Sequence, residues 1–228
     1  MTLDVWTKPT LIFFKILKLL PHEVTKIPYL IAIDGPAGSG KGTIAKLISN
    51  KLNLNYLDSG AIYRVIALSA VIKNIPSNQV LKLISLVGNI NMEFKGENIL
   101  LNNKIVTDKI RTSEISKFSS EIAVHSKLRD EILNLQRSFN QGNGLVAEGR
   151  DMTTVVFPNA DLKVYLDASP HERANRRYKQ LIIKGNNVNI YDLTSEIEAR
   201  DKRDKERKAS PLKIADEAKI LNTDDLTI

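Results

Sequence analysis

A chain of 228 residues is long enough for one α/β domain with insertions and too short for two full enzymes. Its 43% hydrophobic content is that of a globular protein, and the lack of cysteine excludes disulfides, thiol nucleophiles and cysteine metal sites while fitting a reducing, cytoplasmic setting. Thirty-three Lys and Arg against 26 Asp and Glu leave a formal charge of +7, which suits phosphorylated partners; 6% aromatic content and the absence of a basic stripe speak against a nucleic-acid platform. The three histidines, His22, His125 and His171, are too scattered to suggest a metal cluster.

Residues 1–26 precede the first strand-like run and carry no assigned role. Within them LIFFKILKLL, residues 11–20, is apolar but holds two lysines and is half the length of a bilayer span, so no membrane partner is expected and the segment is expected to pack on the domain or to reflect a misassigned start. The domain itself is read as residues 27–228. A buried strand over 29–33 runs into Gly35-Pro36-Ala37-Gly38-Ser39-Gly40-Lys41-Gly42-Thr43 and then a helix over 41–53 with Ile44, Leu47, Ile48 and Leu52 on one face. That loop matches G-x-x-x-x-G-K in the place such a loop requires, between a strand and a helix. Its glycines let backbone N–H groups converge on a polyphosphate, the helix terminus favours anions, and Lys41 adds a mobile charge. The implied ligand is a nucleoside triphosphate. The position after Lys41, which most often supplies a hydroxyl to Mg²⁺, is Gly42, with the hydroxyl one residue on at Thr43. No direct protein ligand to the metal is therefore expected, and a carboxylate acting through water is.

A short strand over 55–57 leads to Asp58-Ser59-Gly60-Ala61-Ile62-Tyr63-Arg64 and a helix over 61–73. Ser59 and Arg64, one turn apart, can clamp a phosphate, or Asp58 and Ser59 can simply cap the helix; from the residues alone the two readings stand even. A helix over 79–87 follows, then a β-hairpin of 91–94 and 99–106 with a further turn at Asn102-Asn103, which interrupts the βα alternation and reads as an insertion. Residues 113–141 carry one long helical periodicity up to the turn Gly142-Asn143-Gly144.

Strands over 145–147 and 162–166 are of the buried parallel kind, and the first ends in Glu148-Gly149-Arg150-Asp151. Acid, base and acid at the carboxyl end of a buried strand are costly unless they serve a ligand: Glu148 can hold Mg²⁺-bound water and Arg150 can bridge a transferring phosphate. Two charged helices, over 170–184 and 191–208, precede a last strand over 218–221. Arg200, Asp204 and Arg207 fall at i, i+4 and i+7 and share a helical face. Arg177 and these three residues are the candidates for an arginine-rich lid over a phosphoryl-transfer site, against a background of solvated charges such as Lys202, Lys205 and Lys208. Strands alternating with helices predict a doubly wound parallel α/β sheet with ligands at the carboxyl ends of its strands.

Four segments in order, GPAGSGKGT, LDSGAIYR, EGRDMTTVVFPNADLKVYLDASP and RDKRDKER followed by PL, resemble the bacterial cytidylate kinases over residues 29–228. The resemblance implies a P-loop nucleotide kinase with a five-stranded parallel core, a monophosphate-binding insertion near 86–118 and a short lid near 176–208. It implies transfer of the γ-phosphoryl group of ATP to CMP or dCMP with Mg²⁺, by a cytoplasmic enzyme that is monomeric and binds no nucleic acid. By the same resemblance Ser59, Arg64 and Arg150 hold the CMP phosphate, Asp58 belongs to the substrate-binding set, Ser120, Arg129 and Asp151 read the cytosine edge, Arg200 and Asp204 contact the ribose, and Arg207 serves the acceptor site. Lys41, Arg150, Arg177 and Arg207 take the catalytic roles. Cytosine offers an amino donor beside ring acceptors, which a carboxylate or hydroxyl plus an arginine complements, whereas uracil inverts that pattern. The chain departs from the family in its first 26 residues and in stopping where a closing helix is expected, which leaves part of the sheet face in need of a cover.

Overall fold

The computed structural model describes residues 9–20, 29–183 and 185–224. Helix α1 (Pro9–Leu19) is followed by β1 (Tyr29–Asp34), α2 (Lys41–Leu52), β2 (Asn55–Asp58), α3 (Ser59–Ile72) and α4 (Val80–Val87). A small meander comes next, β3 (Met92–Lys95), β4 (Asn98–Leu101) and β5 (Lys104–Ile105), and then α5 (Ser113–Ile122) and α6 (Ser126–Arg137). The chain closes through β6 (Gly144–Gly149), β7 (Leu162–Asp167), α7 (Pro170–Ile183), α8 (Ile190–Glu206) and β8 (Lys219–Asn222).

Five strands form one parallel sheet in the order β2-β6-β1-β7-β8. The central strand β1 is apolar because both of its faces are covered. Alternate residues part to opposite sides. Ile31, Ile33, Val146 and Val164 enter a core shared with α1 and α2, while Ala32, Leu57, Leu145 and Ala147 enter the larger core with α3, the insertion, α5 and α6. The register fixes where chemistry gathers. Ile33 pairs with Glu148, Asp34 with Gly149, and Asp58 with Glu148, so the carboxyl ends of three neighbouring strands are level, as an open α/β sheet requires of a ligand crevice.

The expected apolar segment before the domain is helix α1, and it does pack on the domain. Ile12 and Ile16 are fully buried beside Ile44, Ile48 and Leu166. The insertion has three strands, not the expected two, because Asn102 and Asn103 both take positive φ (49° and 63°), the geometry of a tight hairpin turn.

The single helix expected over 113–141 is two helices, broken at Ala123-Val124-His125. The break is tertiary in origin: the Ala123 carbonyl accepts from Arg129 at 3.1 Å, and the His125 ring shares a hydrogen bond of 2.8 Å with the Ser77 carbonyl. A second unanticipated element is the wide turn Met152–Val156, which follows Asp151 and has π-helical hydrogen bonding. Among the described residues no helix is long and apolar enough to cross a membrane.

Candidate active site

The loop after β1 turns sharply over the sheet. A Cβ on Gly35 would lie 2.1 Å from the Leu166 carbonyl oxygen, so only glycine lets the loop approach β7 this closely. Gly40, in the left-handed region, precedes the first residue of α2, Lys41. The lysine is 7% exposed; its Nζ donates to the Pro36 carbonyl at 3.0 Å and stands 4.0 Å from Glu148 Oε2. Burial, followed by the charge of Arg150, lowers the Lys41 pKa, and burial with the charge of Asp58 raises that of Glu148. Each group is thus poised to gain from an added charge of opposite sign in the cleft, a phosphate for Lys41 and a cation for Glu148.

That cleft measures about 480 Å³. Of the loop residues Ala37, Gly38, Gly40, Lys41, Gly42 and Thr43 line it; Gly35, Pro36 and Ser39 face the protein. The lining carries eight Lys and Arg against five Asp and Glu, an excess that suits a polyanion. Asp58 Oδ1 caps α3 by accepting from the Ala61 N–H at 2.9 Å, so the capping reading holds for Asp58, which also lines the cleft. Ser59 is buried, and its Oγ accepts from Gln136 Nε2 at 2.7 Å, which leaves the hydroxyl proton free to donate into the cleft.

Arg64, Arg150 and Arg200 face the same space from α3, from the segment after β6 and from α8. Arg150 Nε is held by Asp204 Oδ2 at 2.9 Å, and Arg207 Nη1 stands 3.7 Å from Asp204 Oδ1. Burial opposes ionisation of Asp204, but Arg150, Arg200 and Arg207 outweigh it and hold the carboxyl below its usual range. Arg200 gains less compensation. Burial, then Arg150 and Arg64, push its pKa down to about 9. Arg64 Nε, Arg200 Nε and Arg207 Nη2 are buried without a hydrogen-bond partner. Buried donors without partners are costly, and a phosphate and its ester oxygens are the acceptors this arrangement fits.

At the far end of the cleft Arg129 Nη2 meets Asp151 Oδ2 at 2.5 Å, and its guanidinium lies over the Tyr63 ring, 5.4 Å from the centroid. Ser120 is buried beside them and accepts from Arg203 Nε at 3.2 Å. The break between α5 and α6 makes this grouping possible, since it turns Ser120 and Arg129 toward one space. With Gly35, Pro36 and Ser39 of the loop, Arg177 is the other expected site residue that does not line the cleft. It sits half-buried on α7 outside the lining, where burial and then the charges of Arg64 and Arg111 lower its pKa.

Several contributors were not singled out by sequence reasoning. Asp34, fully buried, accepts from the Met152 and Thr153 N–H groups at 2.9 and 2.7 Å and from the Thr153 hydroxyl at 2.6 Å, and so anchors the turn that follows Arg150 and Asp151. An acid closing a buried apolar strand was the available signal. Arg173 ties α7 to the loop and to α8, donating to the Ala168 and Ala37 carbonyls at 2.8 and 3.1 Å and pairing with both oxygens of Asp201. Nothing local marks Gln136 or Tyr56, whose partners lie 77 and 92 residues away.

A phosphate loop ending in lysine, at the head of a helix leaving the central strand of a parallel sheet, with arginines of α3, α8 and the segment after β6 lining the same cleft, places the molecule among the P-loop nucleotide kinases. The finer assignment comes from its relatives. The family model described as Cytidylate kinase matches residues 31–228, and the chain belongs to that family. It is 48% identical over 202 residues to a protein named cytidylate kinase from Polynucleobacter necessarius, covering 89% of this chain and 94% of the relative. The cytidylate kinases of Nitrosomonas europaea and Aeromonas salmonicida are 45% and 44% identical, each covering 87% of this chain and 89% and 88% of their own lengths.

Proposed function

We propose that the protein transfers the γ-phosphoryl group of ATP to CMP or dCMP, giving CDP or dCDP and ADP. The observation that carries this reading is the set of partnerless buried guanidinium donors on Arg64, Arg200 and Arg207, gathered between the phosphate loop and the Ser120–Arg129–Asp151 group. One end suits a triphosphate, the middle a monophosphate, and the far end a base that offers an amino donor beside ring acceptors.

On this reading the loop from Gly35 to Thr43 cradles the ATP phosphates through the residues that line the cleft, Ala37, Gly38, Gly40, Lys41, Gly42 and Thr43, and the charge of Lys41, which burial disfavours, is stabilised against them. Ser59, Arg64 and Arg150 hold the CMP phosphate, with Asp58 shaping the turn that presents Ser59. Asp151 accepts from the cytosine amino group while Arg129 and Ser120 serve its ring acceptors, and Arg200 and Asp204 meet the ribose. A phosphate oxygen of CMP, already anionic, attacks the γ-phosphorus in line, so no strong general base is needed. Catalysis comes from positioning and from charge neutralisation by Lys41, Arg150 and Arg207, with Arg177 closing from the lid. Mg²⁺ fits beside Glu148, whose carboxylate faces the loop; when bound it neutralises the nucleotide phosphates.

The domain reading follows the same logic: an extension over 1–26, a monophosphate-binding insertion near 86–118 and a lid near 176–208 on the kinase core. The chain acts as a cytoplasmic monomer on small molecules, without nucleic acid or membrane.

Lys41→Ala and Arg150→Ala test the site. Each is expected to lower kcat by roughly 10²–10³-fold, with the thermal unfolding midpoint held within a few degrees. A kcat near that of the unaltered protein in either variant overturns these roles.

A further inference from the structure

Gly42 and Glu148 meet at an unusual point. A Cβ on Gly42 would lie 2.9 Å from Glu148 Oε1, so the carboxylate fills the space beside the backbone just after Lys41, where loops of this kind most often carry a hydroxyl. The same Oε1 accepts from the Tyr56 hydroxyl at 3.3 Å, and Oε2 stands 4.0 Å from Lys41 Nζ. Among the described residues Tyr56 is the one hydrogen-bond donor to this carboxylate, which is 6% exposed and reached from β2 on one side and α2 on the other.

The Tyr56 ring is itself held from two elements, β3 and α2. Phe94 of the insertion packs edge-on against it with centroids 5.6 Å apart, and Phe94 packs in turn on Phe139 at 5.5 Å. From α2, Lys46 Nζ lies 5.8 Å from the ring centroid and bridges to Glu97, in the β3–β4 turn, at 2.9 Å. The ring so held directs its hydroxyl to Glu148.

We propose that Tyr56 is a positioning residue for the metal side of the site: its hydroxyl orients Glu148 toward the phosphate loop, so that tyrosine and carboxylate together do what the hydroxyl missing after Lys41 does elsewhere. Gly42 is the complementary half of the device, because any side chain there displaces the carboxylate. A second consequence concerns the insertion. Since Phe94 sets the Tyr56 ring, the monophosphate-binding region and the metal side are in mechanical contact. The inference rests on the reading of Glu148 as the carboxylate that accepts from Mg²⁺-bound water.

The test measures affinity for β,γ-imido-ATP in EDTA and in excess Mg²⁺; the ratio reads the gain that Mg²⁺ confers, with no turnover involved. Glu148→Gln is expected to remove most of that gain. Tyr56→Phe, which keeps the ring and its stack, is expected to reduce it on the order of fivefold, with affinity in EDTA unchanged as the check on folding. The double variant is expected to match Glu148→Gln alone, because the hydroxyl acts only through the carboxylate. Loss in Glu148→Gln with an unaltered gain in Tyr56→Phe, or effects that multiply in the double variant, overturns the role of Tyr56 and leaves the Glu148 reading intact. An unaltered gain in Glu148→Gln overturns the Glu148 reading, and the role of Tyr56 with it.

Discussion

Arg64, Arg150 and Arg200 repel one another across the cleft, and among the described residues only Arg150 of the three has a carboxylate within hydrogen-bond distance. A protein keeps like charges this close when a ligand of opposite sign completes the group, and the cost is then repaid on binding. The residue that makes the arrangement rigid is less visible. Asp34 is fully buried and pins residues 152–153, accepting from two backbone N–H groups and from the Thr153 hydroxyl. Burial raises its pKa from 3.8 to about 6, so the folded protein holds this proton more tightly than the unfolded chain does. Linkage then gives the sign. The contribution of Asp34 to stability is largest below the unfolded value and declines as pH rises from about 4 to about 6. Urea unfolding of the unaltered protein and of Asp34→Asn at pH 4.5 and 6.5 checks this: the stability difference, unaltered minus variant, is expected to shrink as pH rises. A difference that grows with pH contradicts it.

At the scale of elements, α1 is the informative case. Eleven residues make a marginal helix on their own, so its order comes from the sheet face it covers. Ile12 and Ile16 are buried against the α2 side of the core, whereas Phe14 is 53% exposed. Ile16→Ala is expected to cost about 2–4 kcal/mol of unfolding free energy, and Phe14→Ser less than about 0.5 kcal/mol, both read from denaturant midpoints. An Ile16→Ala variant as stable as the unaltered protein would mean that α1 adds nothing to the core. The elements that were legible in the sequence are those whose cause is local: the glycine loop, the cap at Asp58, the paired asparagines of the meander turn. The break between α5 and α6 was not legible. Helical periodicity runs on through residues 123–125, and what interrupts it is an arginine from the next helix taking the Ala123 carbonyl and a histidine bound to the loop before α4. The wide turn after Asp151 is hidden for the same reason, since its anchor, Asp34, lies 118 residues earlier in the chain.

Across the whole molecule, the level carboxyl ends of β1, β2 and β6 explain why motifs scattered over 170 residues converge. Spacing points Lys41, Glu148, Arg150, Arg200, Asp204 and Arg207 to the cleft, leaves Ser59 and Arg64 even between a phosphate clamp and a helix cap, and does not place Arg177, whose direction depends on how α7 is rooted through Arg173 and Arg176. Two contacts bridge elements at the sides of the cleft: Glu97, in the β3–β4 turn, meets Lys46 of α2, and Arg203 of α8 meets Ser120 of α5. Nucleoside diphosphate formation by the purified chain from MgATP, with CMP, UMP and AMP as parallel acceptors, tests the assignment of substrate. The expected kcat/KM for CMP is at least about 10²-fold above that for UMP, the penalty for facing Asp151 and Arg129 with the inverted donor pattern of uracil, and no turnover of AMP is expected. Equal rates on CMP and UMP, or preference for AMP, would contradict that assignment.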